Sequence, residues 1–187
     1  MELNEEKLIE ACKQNKRKAR NRLYQLYANK FLGICLRYTR NKTEAEDVLH
    51  DSFIKIFTKI DQYTGKGSFE GWMKRIVTNT AIQLLRDRIQ ERKVFDENKE
   101  VEQDAEITEE QNEDLPRLDA KDLMQIIQNL PDGYRAVFNM YVFEEMGHKE
   151  IAETLNISEG TSKSQYFRAK QLLRKEIIRK MEEQENE

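Results

Sequence analysis

The 187-residue sequence contains few of the residues that make tight turns or cross-link a chain: 7 glycines, 2 prolines and 2 cysteines. So few glycines and prolines cannot supply the many turns of a β-sandwich or a β-barrel. Glu, Lys, Arg, Gln and Leu are abundant instead, and these residues favour helices. The composition therefore excludes an all-β fold and predicts an all-α protein.

Other absences narrow the class of protein. Cys12 and Cys35 lie in helical sequence without a C-x-x-C pair or a nearby histidine, so we expect reduced, packing cysteines rather than a disulfide framework or a zinc site. No apolar run approaches the roughly 18 residues of a membrane span. The first six residues lack the basic and apolar parts of a signal peptide. We expect a cytoplasmic protein with no direct membrane insertion.

The sequence also lacks the usual signatures of catalysis. His50 and His148 are not part of a recognisable nucleophile motif, there is no P-loop, and the acidic run lacks the glycine and ligand spacing of a calcium loop. We therefore expect a protein that is not an enzyme, with no catalytic residues, no cofactor and no metal site.

Charge is distributed unevenly along the chain. Residues 1–95 carry 20 Lys and Arg against 12 Asp and Glu, residues 96–119 carry 2 against 11, and residues 120–187 carry 10 against 12. This pattern predicts two small helical domains, 1–94 and 120–187, joined by a flexible acidic linker over 95–119. The basic first block favours a polyanion as its partner, although a solvated helix surface beside a disordered linker explains the composition equally well.

In the first block, apolar periodicity predicts helices over about 16–40 and 43–60, the second begun by a capping box of Thr43 and Glu46. The second helix has an apolar stripe and, separate from it, a face whose residues are spaced i, i+3, i+4 and i+7. This face carries Asp47, His50, Asp51 and Ile54. An isoleucine on an otherwise acidic face suggests a surface that meets a partner.

A glycine-dense loop precedes the third helix. Gly65, Lys66 and Gly67 give this loop unusual backbone freedom, and Ser68 caps the helix that follows. Glycine loops, aromatic rings and cations together suit the capture of single-stranded bases and phosphates. The residues that carry this hypothesis on the helix are Phe69, Trp72, Lys74, Arg75 and Asn79. The alternatives are that both aromatic residues belong to the core and that Asn79 is simply solvated.

The third block has the pattern of a helix-turn-helix. Ala152 allows two helices to cross closely, Asn156 tolerates a left-handed turn, and Ser158 caps the second helix. The stripe expected to be buried is Tyr166, Ala169, Leu172, Leu173 and Ile177; the outer face, which would read a major groove, carries Thr161, Lys163, Ser164, Phe167 and Arg168. The alternative is an ordinary helical hairpin with a basic surface.

Taken in order, these motifs resemble those of bacterial RNA polymerase sigma factors of the extracytoplasmic-function (ECF) group, which contain only regions 2 and 4. The resemblance covers roughly residues 20–92 and 120–180. Its strongest parts are AEDVLHDSF at 45–53, GSFEGWMKRIVTN at 67–79, Leu130-Pro131, and the helix-turn-helix ending in GTSKS at 160–164. Four motifs in the order of the family are far more specific than any one of them.

The resemblance implies a fold, partners and residue roles. The face of Asp47, His50, Asp51 and Ile54 would bind the β′ clamp helices of core RNA polymerase, whose β flap is a second implied contact. The loop and cationic helix would capture a flipped base and phosphates of the minus-ten promoter element, and the face of Lys163 and Arg168 would read the minus-thirty-five element. A membrane-bound anti-sigma factor is a candidate partner, and the acidic connector would thread polymerase channels that otherwise take nucleic acid.

Three positions depart from the pattern of the family. His50 replaces a common glutamine, Ser162 a common apolar residue, and Gln165 a common arginine. Two rival hypotheses also stay open: a dimeric helix-turn-helix regulator that works without polymerase, and a structural helical adaptor. Against the regulator stands the first module, which has no ligand-pocket signature.

Overall fold

The computed structural model describes residues 5–95 and 119–185, and every regular element within them is helical. Nearly all of the predicted acidic linker, 95–119, lies outside the described residues. The helices are α1 Glu5–Lys13, α2 Arg17–Tyr38, α3 Lys42–Lys59, α4 Phe69–Phe95, α5 Ala120–Asn129, α6 Asp132–Val142, α7 His148–Leu155 and α8 Glu159–Glu185, with a short 3₁₀ turn at Ile60–Gln62. The all-α prediction is confirmed, and α1, which contains Cys12, is a helix to which the sequence pattern gave no bounds.

The chain divides into two compact units, one ending at Leu84 and the other beginning at Leu85. In the first unit, α2 and α3 pack together through aromatic rings: Phe31 and Phe53 have ring centroids 6.1 Å apart. Burying such aromatic and aliphatic side chains is the main force that holds a small helical unit together. The residues of this core are Leu23, Phe31, Ile34, Cys35, Tyr38, Leu49, Phe53, Ile56, Ile60, Phe69, Met73, Val77 and Ala81.

The start of α3 differs from the prediction. Asn41, not Thr43, is the N-cap, because the side-chain oxygen of Asn41 accepts the backbone N–H of Glu44 at 2.9 Å. The carboxylate of Glu44 in turn accepts the backbone N–H of Arg40 at 3.0 Å. Asparagine caps a helix as well as threonine does. The side chains that bind backbone N–H groups at the start of α3 are therefore those of Asn41 and Glu44, two residues before the predicted capping box.

The second unit has a separate apolar core, in which α8 packs on α5 and α6. Its buried residues are Ile126, Ile127, Leu130, Ala169, Leu173 and Ile177. Leu172, predicted to be buried, is instead exposed over 37% of its surface. The stripe follows positions 169, 173 and 177 at a spacing of four, which places Leu172 beside the core rather than in it.

An ion pair is buried where α5 meets α6. Arg135 is completely buried, and its guanidinium contacts the carboxylate of Asp132, the backbone oxygen of Gln128 and that of Leu130. The carbonyls at the end of a helix have no partner within the helix. Arg135 therefore binds the end of α5 and the start of α6 at once.

Both cysteines are free and buried, as expected for packing residues. Burial raises the pKa of the Cys35 thiol to about 12, so this thiol stays protonated at neutral pH. In 5–95 and 119–185, no helix is both long and apolar enough to cross a membrane.

Candidate nucleic-acid and partner interfaces

The predicted partner face of α3 is fully formed. Asp47, His50, Asp51 and Ile54 are all exposed along one side of the helix, while Val48, Leu49, Phe53 and Ile56 point into the core. Ile54 keeps 52% of its surface exposed, more than any other large apolar side chain among the described residues. The face therefore combines two carboxylates with an apolar residue that the rest of the described chain leaves half exposed.

One end of this face opens into a groove of about 440 Å³. Ile54 and Phe57 of α3 are its apolar lining residues, and the guanidinium of Arg20 lies over the Phe57 ring, 5.0 Å from the ring centroid. The remaining lining residues are Lys13, Asn15, Thr58 and Asp61. The α3 face is thus continuous with a shaped surface to which α1 contributes through Lys13.

The glycine loop, residues 63–68, has the backbone geometry that its composition predicts. Gly65 and Gly67 have φ angles of 78° and 80°, in the left-handed region that favours glycine. Ser68 caps α4 by accepting the Gly71 N–H at 3.0 Å, as predicted. Lys66 and both glycines are exposed, so the loop presents backbone groups and one cation to solvent.

Three aromatic rings pack against one another beside the loop. Phe69 and Trp72 are nearly parallel with centroids 5.7 Å apart, and the ring of Tyr63 lies 5.0 Å from Phe69 and 5.7 Å from Trp72. Phe69 is completely buried, which agrees with the alternative that its ring belongs to the core. Trp72 is half-buried. The sequence analysis gave Tyr63 no role, although an aromatic residue at the start of a glycine loop is a signal that could have found it.

The polar residues of α4 divide between two sides. Trp72, Arg75 and Asn79 follow each other at i, i+3 and i+7 and share a face, on which Arg75 and Asn79 are exposed. Lys74 is exposed on another side, since helical residues two apart do not face the same way. The structure thus brings the loop, Trp72, Arg75 and Asn79 together and leaves Lys74 apart from them.

The helix-turn-helix of the second unit has the predicted turn. Asn156 ends α7 with φ 55° and ψ 52°, a left-handed conformation, and its backbone N–H donates to the Ala152 oxygen. Ser158 caps α8 by accepting the Thr161 N–H at 2.9 Å. Ile151, Ala152 and Leu155 are buried beneath the turn. These contacts fix the angle at which α8 leaves α7.

The five residues predicted to contact DNA lie on adjacent stripes of α8; Lys163 is exposed, and the other four are half-buried. Thr161, Ser164 and Arg168 are spaced i, i+3 and i+7, with Lys163 and Phe167 beside them. Lys163 is exposed and pairs with Glu159 at 2.7 Å, which lowers the pKa of Glu159. The Ser164 hydroxyl donates to the Thr161 carbonyl at 3.1 Å.

A polar contact lies directly under this outer face. The Ser162 hydroxyl is completely buried and lies 3.0 Å from Nδ1 of His148, whose ring stacks on Tyr141 at 4.7 Å. Burial, followed by the charge of Lys163, lowers the pKa of His148 below its ordinary value of 6.5. The serine that departs from the family pattern therefore has a polar partner in α7.

Within the described ranges, no group of three or more His, Cys, Asp or Glu side chains is arranged to hold a metal ion.

Comparison with known proteins identifies the class. The family model for Sigma-70 region 2 matches residues 23–90, and that for Sigma-70, region 4 matches residues 120–173. These two matches, around the α3 face, the glycine loop and the helix-turn-helix, define a sigma factor of the sigma-70 type.

Curated relatives cover almost the whole chain. The ECF RNA polymerase sigma-E factor of Haemophilus influenzae is 30% identical over 186 residues, covering 94% of this chain and 96% of the relative. The ECF RNA polymerase sigma factor SigW of Bacillus subtilis is 28% identical over 186 residues, covering 95% of this chain and 98% of the relative. The chain belongs to the ECF RNA polymerase sigma factors, and it directs promoter-specific initiation of transcription by RNA polymerase.

Among solved structures, the chain is similar to the sigma factor RpoE of Bartonella quintana, whose structure is a complex with the anti-sigma factor NepR. The TM-score is 0.47 with 18% identity, covering 84% of this chain and 96% of that one.

Proposed function

We propose that three surfaces divide the work of this sigma factor: the α3 face binds core polymerase, the glycine loop with one face of α4 holds the melted minus-ten element, and the outer face of α8 reads the minus-thirty-five element. The protein contributes recognition and no chemistry of its own. It acts in the cytoplasm, where polymerase and promoter DNA meet.

The observation that carries the proposal is the exposure of Ile54 within the acidic α3 face. A partner that covers this side of the helix removes apolar surface from water, which favours association by about 25 cal/mol per Å² of area removed. Asp47 and Asp51 flank the apolar contact and select a partner with cations at matching positions. The β′ clamp helices of core polymerase are the partner that the family resemblance supplies.

For the minus-ten element, the arrangement of the loop and α4 suits an unpaired base. The half-buried Trp72 ring offers an edge against which a base can pack, and Arg75 and Asn79 extend from the same face toward phosphate and base edges. Gly65, Lys66 and Ser68 allow the backbone to approach the strand closely. Phe69 supports Trp72 from the core, and Lys74 contacts DNA only at another side of the helix.

For the minus-thirty-five element, the major groove is wide enough to admit a helix such as α8, whose outer side chains would then face the base edges. Arg168 and Lys163 are the cations of its outer face, with Phe167 between them. Thr161 and Ser164 already make hydrogen bonds near the start of α8, so they contact DNA with groups whose positions are fixed. To bind a phosphate, Lys163 must give up its ion pair with Glu159. Its net contribution to DNA affinity is therefore smaller.

Two modest DNA contacts become useful when polymerase holds them together. Once the first contact forms, the second is intramolecular and has a raised effective concentration. The isolated chain therefore binds duplex promoter weakly. The β flap and a membrane-bound anti-sigma factor are further proposed partners, suggested by the family resemblance.

The test of the proposal is a charge reversal on the α3 face. Asp51→Arg is expected to abolish capture of purified core polymerase, because it places a cation opposite the cations that the acidic face selects. Glu10→Arg, the same charge change at an exposed residue of α1, is the matched control and should bind normally. Normal holoenzyme assembly by Asp51→Arg would refute the assignment of this face.

A further inference from the structure

The glycine loop has a shape that its glycines alone cannot maintain. A Cβ added at Gly65 or at Gly67 would meet no atom of residues 5–95 and 119–185 within 4 Å, so packing of these residues does not hold the backbone there. Glycine also loses more conformational freedom on ordering than any other residue. Some other contact must therefore fix this loop.

Tyr63 makes that contact. Its hydroxyl donates a hydrogen bond of 2.8 Å to the carbonyl oxygen of Gly67, four residues further along, and so closes the loop across its base. Its ring packs on Phe69 and Trp72, the first of which is completely buried. The phenol thus connects the far end of the loop to the core.

The backbone of Tyr63 is fixed as well. Its N–H donates to the Ile60 carbonyl at 3.2 Å, and its own carbonyl accepts a hydrogen bond of 3.5 Å from Nζ of Lys13 at the end of α1. Tyr63 is therefore held by contacts of its backbone, its ring and its hydroxyl. The contact of its hydroxyl is the one that reaches the Gly67 carbonyl.

We propose that Tyr63 is a positioning residue, whose hydroxyl holds the glycine loop in the shape that receives a single-stranded base. This inference rests on the proposed role of the loop in binding the minus-ten element and adds the residue that prepares it. Ordering a loop before binding removes the entropic cost that binding would otherwise carry. Tyr63 itself need not touch the DNA.

The substitution that isolates the hydroxyl is Tyr63→Phe, which keeps the ring against Phe69 and Trp72. The matched control is Tyr27→Phe, since Tyr27 is a half-buried tyrosine of the same unit that stacks on Phe31 at 5.6 Å. Both variants are tested as holoenzyme with core polymerase, on a promoter recovered by run-off transcription from genomic fragments. The probes are a fluorescent single strand carrying the minus-ten sequence of that promoter and the intact duplex, whose melting is followed by permanganate reactivity of thymines.

Tyr63→Phe is expected to bind the single strand about three- to tenfold more weakly, the net effect of one lost hydrogen bond. Melting should fall in parallel, while core binding and thermal stability stay at the level of Tyr27→Phe. Unchanged single-strand binding by Tyr63→Phe would overturn the proposal. A loss of core binding or thermal stability that matches the loss of melting would also overturn it, because the hydroxyl would then be merely structural.

Asn79→Ala separates this inference from the proposed function. If Asn79→Ala weakens single-strand binding and Tyr63→Phe does not, the minus-ten site stands and only the role of Tyr63 fails. If neither Asn79→Ala nor Arg75→Ala affects binding, the loop is not the minus-ten site and both proposals fall.

Discussion

Arg135 provides the sharpest test of how the second unit is held together. Its guanidinium has no exposed surface, and it contacts the Asp132 carboxylate and two carbonyl oxygens at the end of α5. Replacing it with methionine, a side chain of similar length, removes the charge and leaves the buried carboxylate and carbonyls without their donor. Removing one partner of a buried ion pair lowers the free energy of unfolding by about 3–5 kcal/mol.

Such a loss is large for a small unit, since whole domains are stable by only about 5–15 kcal/mol. Urea unfolding followed by circular dichroism should therefore show the helices of the second unit melting at much lower urea in Arg135→Met. The only tryptophan of the chain, Trp72, lies in the first unit, so its fluorescence transition is an internal control that should not move.

The matched control is Arg179→Met. Arg179 lies in the same unit with 59% of its side chain exposed, and it pairs with Glu176 and Glu183 at the surface, where ion pairs contribute little. Substituting both Arg135 and Asp132 with apolar residues should lower the free energy of unfolding by less than the sum of the two single losses. The reason is that the double substitution leaves neither charge of the pair behind. Additive losses, or an Arg135→Met variant as stable as Arg179→Met, would refute the reasoning.

The other predictions concern the helix-turn-helix. Arg168→Ala should weaken discrimination of the minus-thirty-five sequence by about 1–3 kcal/mol in holoenzyme binding to matched and mutated promoters, whereas Lys175→Ala, two turns further along α8, should not. Glu159→Gln should strengthen promoter binding, most at low salt, because it frees Lys163 for a phosphate; weaker binding would contradict this. The lowered pKa of His148 means that the unfolded chain takes up a proton first, so stability should fall as pH drops through and below 6.5. His148→Asn should remove that part of the dependence, measured as urea midpoints at about pH 7.5 and 5.5, and an unchanged dependence would rule out His148 as its source.

Much of this fold could be predicted from periodicity, because most helices have a regular apolar stripe, and α3, α4, α5 and α8 also begin with a capping side chain. The exceptions have local causes. α1 is short and only Ile9 and Cys12 are buried on it, which is too little pattern to define where the helix begins and ends. At α3, Asn41-x-x-Glu44 and Thr43-x-x-Glu46 both read as caps, and only the folded backbone chooses between them.

Helical spacing alone was enough to predict which candidate residues share a face of a helix. The exposed face of Asp47, His50, Asp51 and Ile54 follows from helical spacing, as does the outer face of α8. Contacts that join distant parts of the chain were not predictable. The hydrogen bond between His148 and Ser162 links different helices, and that from Lys13 to Tyr63 spans fifty residues, so neither leaves a periodic trace.

The most direct test of the central claim is capture of purified bacterial core polymerase by this protein, followed by run-off transcription from a pool of genomic fragments. We expect stoichiometric capture and transcripts that begin at defined sites, with shared sequences near minus ten and minus thirty-five. Failure to bind core polymerase, with duplex-DNA binding retained, would contradict the account and favour a helix-turn-helix regulator that works without polymerase.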